Sequence, residues 1–203
     1  MFFTIVVLIL SIIVHEVAHG YAANALGDPT AKLQGRLTLN PLPHVDPIGS
    51  VLIPGLLVLT NAGMLFGWAK PVPYNPYNLK NQRWGEAIVG VAGVATNLVL
   101  ALVFALISRA AFGAGQDTFG GLAAVVCYVN LFLGLFNLIP FPPLDGFTVL
   151  RGLLPYRMSV SLRTIEARLG GFSGLIIFLL AFSYLLARPF HAFVMFVFGL
   201  LVG

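Results

Sequence analysis

The chain has 203 residues, of which 59% are hydrophobic and only 9% are charged, and its mean hydropathy is +0.95. Soluble domains carry roughly 25% charged residues, so this composition excludes a soluble globular protein and allows about four to six membrane crossings of about 20 residues each. The net charge of +4 does not indicate nucleic-acid binding, because the basic residues are scattered between apolar segments, where they attract anionic lipid and fix orientation.

The first predicted helix covers about residues 2–25 and is expected to be retained, because it lacks the basic start and cleavage site of a signal peptide. His15, Glu16 and His19 interrupt its apolar run, and ionisable groups inside a membrane are costly. In the H-E-x-x-H pattern the two histidines lie one helical turn apart and can share a zinc ion, with Glu16 beside the water that completes the metal shell. A polar helix face packed against other helices is the structural alternative.

Three further membrane helices are predicted from long apolar runs, at about residues 84–112, 119–138 and 172–203. Arg188 and Pro189 divide the last of these, which is therefore either one kinked helix or two shorter ones. The predicted fold is thus an all-α membrane protein, a polytopic transmembrane helix bundle that forms a single domain over residues 1–203.

The connecting segments are predicted to be irregular. The apolar run at 48–66 contains a central Pro-Gly pair and is predicted to be a re-entrant or interfacial segment. Three prolines within 67–76 forbid a helix and favour a short extended strand. The basic connector at 147–171 is interpreted as an anchor on the lipid surface.

A third metal ligand is needed, because catalytic zinc sites usually have three protein ligands and a water. Asp145 stands out among the seven acidic residues, since it lies in the proline-rich break at the end of the 119–138 helix, which Gly146 closes. The two segments H-E-V-A-H at 15–19 and N-L-I-P-F-P-P-L-D-G at 137–146 together resemble the site-2 protease family of intramembrane metalloproteases, which pairs H-E-x-x-H with N-x-x-P-x-x-x-x-D-G.

The resemblance implies that His15, His19 and Asp145 hold one zinc ion. It also implies that Glu16 activates the attacking water, first as a general base and then as an acid toward the leaving amine. Asn137 would then hydrogen-bond the substrate backbone or the oxyanion.

Two further candidates for substrate binding follow from the resemblance. Asn97 lies where the family carries G-P-x-x-N, although Val94 replaces the proline here, and packing between helices is an equal alternative for it. Lys70 lies in the proline-rich strand, which is expected to receive an unwound substrate segment by strand addition.

A shared metal constrains the topology. Asp145 can reach the histidines only if the first helix and the 119–138 helix cross in the same direction, so the 48–66 segment must return to the side that it left. Nine of the eleven basic residues then lie on one side, which the positive-inside rule makes cytoplasmic. We expect a multi-pass protein of the prokaryotic cell membrane.

The predicted function is that of an intramembrane zinc endopeptidase, which cuts transmembrane segments of membrane protein substrates and contacts membrane lipids. A metal-binding transporter or channel is the alternative, although acids on several helices or repeated halves would then be expected. A non-catalytic scaffold would not need Glu16 between the two histidines.

Overall fold

The computed structural model describes residues 2–59, 69–169 and 172–203. Helices dominate, and the part of the chain that the structure describes contains no β-strand, which confirms the all-α prediction. In chain order the α-helices are α1 (Phe2–Ala25), α2 (Thr30–Leu33), α3 (Ile53–Leu59), α4 (Gln82–Gly113), α5 (Asp117–Asn137), α6 (Asp145–Leu153), α7 (Tyr156–Leu169), α8 (Phe172–Ala181) and α9 (Ala187–Val202).

Four helical stretches are long and apolar enough to span a membrane. They are Phe2–Ala25, Trp84–Gly113, Asp117–Asn137 and Gly174–Val202. A π-helical turn at Phe182–Leu186 connects α8 to α9 without a break, so the last apolar region forms one long span rather than two crossings. The chain is therefore a multi-pass membrane protein.

Helices α1 and α4 run in opposite directions. His15 of α1 contacts Asn97 of α4, whereas His19, one turn later in α1, contacts Val89, which lies two turns earlier in α4. The backbone N–H of Lys80, just before α4, also donates to the carbonyl of Leu26, just after α1 (3.0 Å). The segment between α1 and α4 therefore begins and ends at the same end of the bundle.

Helix α5 runs in the same direction as α1, as predicted from the sequence. Asn130 of α5 contacts Ser11 of α1, and the residues that follow α5 approach the histidines further along α1. The helix ends at Asn137, and seven proline-rich residues separate it from α6. The Cβ of any larger residue at Gly146 would lie 2.2 Å from the Leu138 carbonyl oxygen, so this tight break requires glycine.

The predicted basic connector at 147–171 is largely helical, since α6 and α7 cover most of it. Pro155 separates the two helices. The interpretation of this region as a lipid anchor is wrong for two of its arginines, because Arg151 and Arg163 pair with the buried carboxylate of Glu86 in α4.

The proline segment, defined here as residues 69–75, forms neither helix nor sheet with any described residue. The predicted re-entrant segment begins with a π-helical turn at Pro47–Leu52 and continues into α3. Its remaining residues, 60–66, and the first two residues of the predicted 67–76 strand lie outside the described residues. The re-entrant course of this segment stays a prediction.

Candidate metal centre

Three potential metal-ligand atoms converge between α1 and the start of α6. Oδ2 of Asp145 lies 2.9 Å from Nε2 of His15 and 3.3 Å from Nε2 of His19, and the two Nε2 atoms are 3.0 Å apart. Tetrahedral zinc with bonds of about 2.0–2.1 Å holds its ligand atoms about 3.3 Å from each other. The three atoms therefore have nearly the spacing of a zinc site.

The remaining ring nitrogens fix the tautomer of both imidazoles. Nδ1 of His15 lies 2.5 Å from the Asn97 side-chain oxygen, and Nδ1 of His19 lies 2.7 Å from the Val89 carbonyl oxygen. Because both partners can only accept, each Nδ1 carries the proton and each Nε2 presents a lone pair.

Oδ2 of Asp145 is buried without a hydrogen-bond donor among the described residues. In the neutral imidazoles both Nε2 atoms present a lone pair toward this oxygen, and a cation bound between the three atoms would satisfy them together. Two imidazole nitrogens and one carboxylate oxygen match the donor set of catalytic zinc. The residues present therefore fit a zinc ion.

A chain of buried amides lies behind His15. Asn97 is fully buried, and its amide nitrogen donates to Oδ1 of Asn130 (2.8 Å), whose own amide nitrogen donates to Oγ of Ser11 (3.0 Å). These contacts connect α4, α5 and α1 and orient His15. Sequence reasoning did not assign Asn130 or Ser11, although a polar side chain in an apolar helix is a signal for interhelical hydrogen bonding.

The backbone of α4 at Gly93 lies directly against the two imidazoles. A Cβ at this position would be 2.5 Å from Nε2 of His19 and 2.7 Å from Cε1 of His15. Both distances are well below van der Waals contact, so only glycine lets the rings occupy these positions. Gly93 stands at the glycine of the G-P-x-x-N position that includes Asn97, and the sequence alone does not predict this close approach.

Glu16 is half-buried and is held by the proline segment, since its Oε2 accepts a hydrogen bond from the Val72 N–H (2.8 Å). Buried Arg36 donates in turn to the carbonyl oxygens of Lys70 (2.7 Å) and Pro71 (3.2 Å). These contacts restrict the position of the segment and, through Val72, the orientation of Glu16.

Asp28 holds the other end of the proline segment and was not assigned from the sequence. Its fully buried carboxylate accepts hydrogen bonds from the Asn75 N–H (2.6 Å), the Asn78 amide (2.8 Å) and the Thr30 hydroxyl (2.5 Å). Burial alone would raise the pKa of Asp28, but these hydrogen bonds outweigh it and the pKa is lowered.

The other candidates for substrate binding are not in contact with the three ligand atoms. The Asn137 amide donates to the carbonyl of Leu133 in its own helix (3.0 Å). The Lys70 side chain is exposed, while its backbone N–H donates to the carbonyl of buried His44 (2.8 Å). Roles for Asn137, Asn97 and Lys70 in substrate binding stay predictions.

The chain is similar to known proteins over most of its length. A family model described as Peptidase family M50 matches residues 113–181. YwhC of Bacillus subtilis is 40% identical over 190 residues, which is 89% of this chain and 80% of YwhC. Rip2 of Mycolicibacterium smegmatis is 30% identical over 70% of this chain and 53% of its own length.

A more distant relative, MJ0392 of Methanocaldococcus jannaschii, is 27% identical over 73% of this chain and 33% of its own length. The names of all three relatives contain the words zinc metalloprotease. No solved structure shows a significant match.

The extent of the YwhC match and the family model decide the classification. Together with the four apolar spans, the prokaryotic relatives indicate a multi-pass protein of the prokaryotic inner membrane. The chain belongs to peptidase family M50, the site-2 protease family, and is a zinc metalloendopeptidase.

Proposed function

We propose that this protein uses a single zinc ion, held by His15, His19 and Asp145, to hydrolyse peptide bonds within or near transmembrane segments of other membrane proteins. The observation that carries the proposal is the convergence of the three ligand atoms between helices that span the membrane. His15 lies about 20 Å along α1 at 1.5 Å per residue, so a peptide bond must come to membrane depth to reach it.

Zinc in this site would supply a Lewis acid, which polarises a peptide carbonyl and makes water more acidic. Glu16 provides the proton transfer. One of its oxygens accepts the Val72 N–H, which leaves the carboxylate oriented and its second oxygen able to take a proton from water. Glu16 then returns that proton to the leaving amine, as a general base that becomes a general acid.

Substrate binding is proposed for the surfaces beside this centre. The proline segment, which includes Lys70, would receive an unwound stretch of the substrate in an extended conformation. Asn137, half-buried at the end of α5, would hydrogen-bond the substrate backbone or the oxyanion. Unwinding is required because a helical substrate keeps its own backbone groups hydrogen-bonded.

A metal transporter or channel is disfavoured by how the ligands are distributed. Within residues 2–59, 69–169 and 172–203, His15, His19 and Asp145 form the group of three potential ligands that could hold a metal ion. A transport pathway needs further ionisable groups along the membrane, whereas one closed group with an adjacent carboxylate suits hydrolysis.

The test is Glu16→Gln in the purified, detergent-solubilised protein, with zinc content measured beside cleavage of a panel of single-span membrane proteins. We expect full zinc content and a loss of cleavage of at least about 100-fold, the usual contribution of a general base. Asp145→Ala should lose both zinc and cleavage.

The matched control is Asp117→Asn, which changes an exposed acid at the start of α5 and should alter neither measurement. A wild-type protein that binds no zinc, or a Glu16→Gln variant that cleaves at the wild-type rate, would contradict the proposal. Zinc uptake into vesicles that persists in Glu16→Gln would favour a transporter.

A further inference from the structure

A cluster of four charges lies beside the metal centre, with Glu86 and Arg151 buried and Arg163 and Glu166 partly exposed. Glu86 is only 2% exposed, and its two oxygens accept from Nη2 of Arg151 (2.5 Å) and Nη2 of Arg163 (2.5 Å). Arg151 also pairs through Nη1 with Glu166. The cluster is neutral as a whole, and it joins α4, α6 and α7.

Such a cluster needs an explanation other than stability. Removing charges from water is expensive, and well-packed apolar residues in place of a buried ion pair are often as stable or more so. What an ion pair does provide is a defined geometry between the elements that carry it. In this protein the elements joined are α4 and α6, which both contact the metal ligands.

One turn of α4 contacts both His19 and α6, the helix that carries Asp145. The carbonyl of Val89 orients His19. The next residue, Gly90, lies so close to α6 that its Cβ would be 3.3 Å from the Asp145 carbonyl oxygen. Glu86, one turn earlier, pairs with Arg151 further along α6. The stretch 86–90 therefore fixes His19 and Asp145 relative to each other.

The packing around Gly90, where Asp145, Thr148 and Val149 of α6 lie close to α4, holds the two helices together but is not directional. Asp145 lies in the first turn of the nine-residue α6. The pair between Glu86 and Arg151, six residues later, adds a directional, charge-assisted contact that sets the rotation of α6 about its axis. A misplacement of a ligand by about 1 Å is enough to impair a metal or catalytic site.

We infer that Glu86 and Arg151 are positioning residues, which hold α6 against α4 so that Oδ2 of Asp145 meets the two imidazoles. Arg163 and Glu166 extend the same cluster to α7 through their ion pairs with Glu86 and Arg151. The inference rests on the proposed zinc site, and it concerns the placement of Asp145 rather than the chemistry.

The test measures zinc affinity by chelator competition in detergent, together with the thermal stability of the zinc-free protein. Arg151→Gln should weaken zinc binding at least about tenfold, the lower end of what lost outer-shell contacts cost. The double variant Glu86→Gln/Arg151→Gln should weaken it similarly, and it leaves no buried charge of that pair without a partner. If Arg151→Gln does not fold, zinc affinity is measured in the double variant instead.

The matched control is Arg163→Gln, which breaks an ion pair to the same carboxylate but leaves the link between α4 and α6. It should keep zinc affinity within about threefold, because Arg151 still holds α6. A cluster with a purely structural role would lower thermal stability in both variants and leave zinc affinity unchanged, and that result would overturn the inference. A wild-type protein without zinc would instead refute the proposed function.

Discussion

The imidazoles of the metal centre are oriented by neutral acceptors, an asparagine amide and a backbone carbonyl. Both kinds of acceptor are known behind metal-bound histidines, and carboxylates are the common charged choice. Inside an apolar bundle a further carboxylate would carry a desolvation cost of several kcal/mol. Asn97 supplies the same hydrogen bond without that cost, and Asn130 satisfies its remaining donor.

Gly93→Ala should fold but lose most of its zinc affinity. The added Cβ would lie 2.5 Å from Nε2 of His19, and the imidazoles are the parts of the structure that can move away. We expect at least about a tenfold loss of affinity, as for other disturbances of ligand orientation, measured by chelator competition.

A glycine of α5 offers the control for this substitution. Gly121 has no atom within 4 Å of its Cβ position, so Gly121→Ala should bind zinc as the wild type does. Equal zinc affinity in Gly93→Ala and Gly121→Ala would show that the α4 backbone does not confine the imidazoles.

The three candidate ligands, which the structure brings together, could be predicted from the sequence, whereas the residues that support them could not. His15, Glu16 and His19 follow from helical spacing, and Asp145 follows from a ten-residue pattern. Ser11, Glu86 and Asn130 carry no local signal that names a partner, because their contacts between helices join residues 33 to 119 positions apart. Sequence alone shows that such groups need partners but not which helices approach each other.

At the scale of elements, the absence of a helix in the proline segment could be predicted from the sequence. The residues that contact this segment could not. Prolines exclude a helix locally, whereas Arg36, Asp28 and Glu16 reach the segment from other parts of the chain. Likewise, Asp145 is predicted to lie in the proline-rich break past the 119–138 helix, but the sequence does not predict that it begins α6. The prolines after α5 predict where this helix ends, but they do not predict the direction of the helix that follows.

Protonation of Asp28 should release one end of the proline segment. Because the folded pKa of Asp28 is lowered, its stabilising contribution is complete above the unfolded pKa of about 3.9. It is lost as the pH falls below that value toward the folded pKa. Hydrogen exchange of the Asn75 amide, corrected for its intrinsic pH dependence, should accelerate in acid.

Asp28→Asn provides the comparison, since it removes the titrating group and weakens the charge-assisted contacts. The Asn75 amide should exchange faster in this variant at neutral pH, with little further acceleration in acid. An acid response of the same size in the variant would assign the effect to another group.

At the scale of the whole molecule, the four spans are not equivalent. In α1, α4 and α5, 33–39% of the apolar window is buried within the protein, but in the last span only 6% is. The last span attaches to α5 through edge-on aromatic contacts, among them those of Phe190 with Phe132 and Phe136. The three inner spans thus hold the histidines and the buried amides behind them, whereas the last span packs on their outer side against α5.

Phe190→Ala should lower thermal stability while leaving zinc affinity within about threefold. The ring of Phe190 lies 5.4 Å from that of Phe132 and 5.4 Å from that of Phe182, and aromatic pairs contribute about 0.5–1.5 kcal/mol each beyond area burial. Phe196, which is 63% exposed, gives the matched control, since Phe196→Ala removes a ring of the same size from the lipid-facing side. A tenfold loss of zinc affinity in Phe190→Ala would mean that the last span helps to build the centre.

The contacts of the proline segment limit which guest peptide can lie along it. Pro71 and Pro73 have no N–H, and the N–H of Val72 is given to Glu16. Over these three residues the segment can offer a neighbouring chain only carbonyl oxygens. A peptide that pairs with these residues must therefore donate its own backbone N–H groups. A peptide with proline at the facing positions could not form these hydrogen bonds, whatever its other side chains.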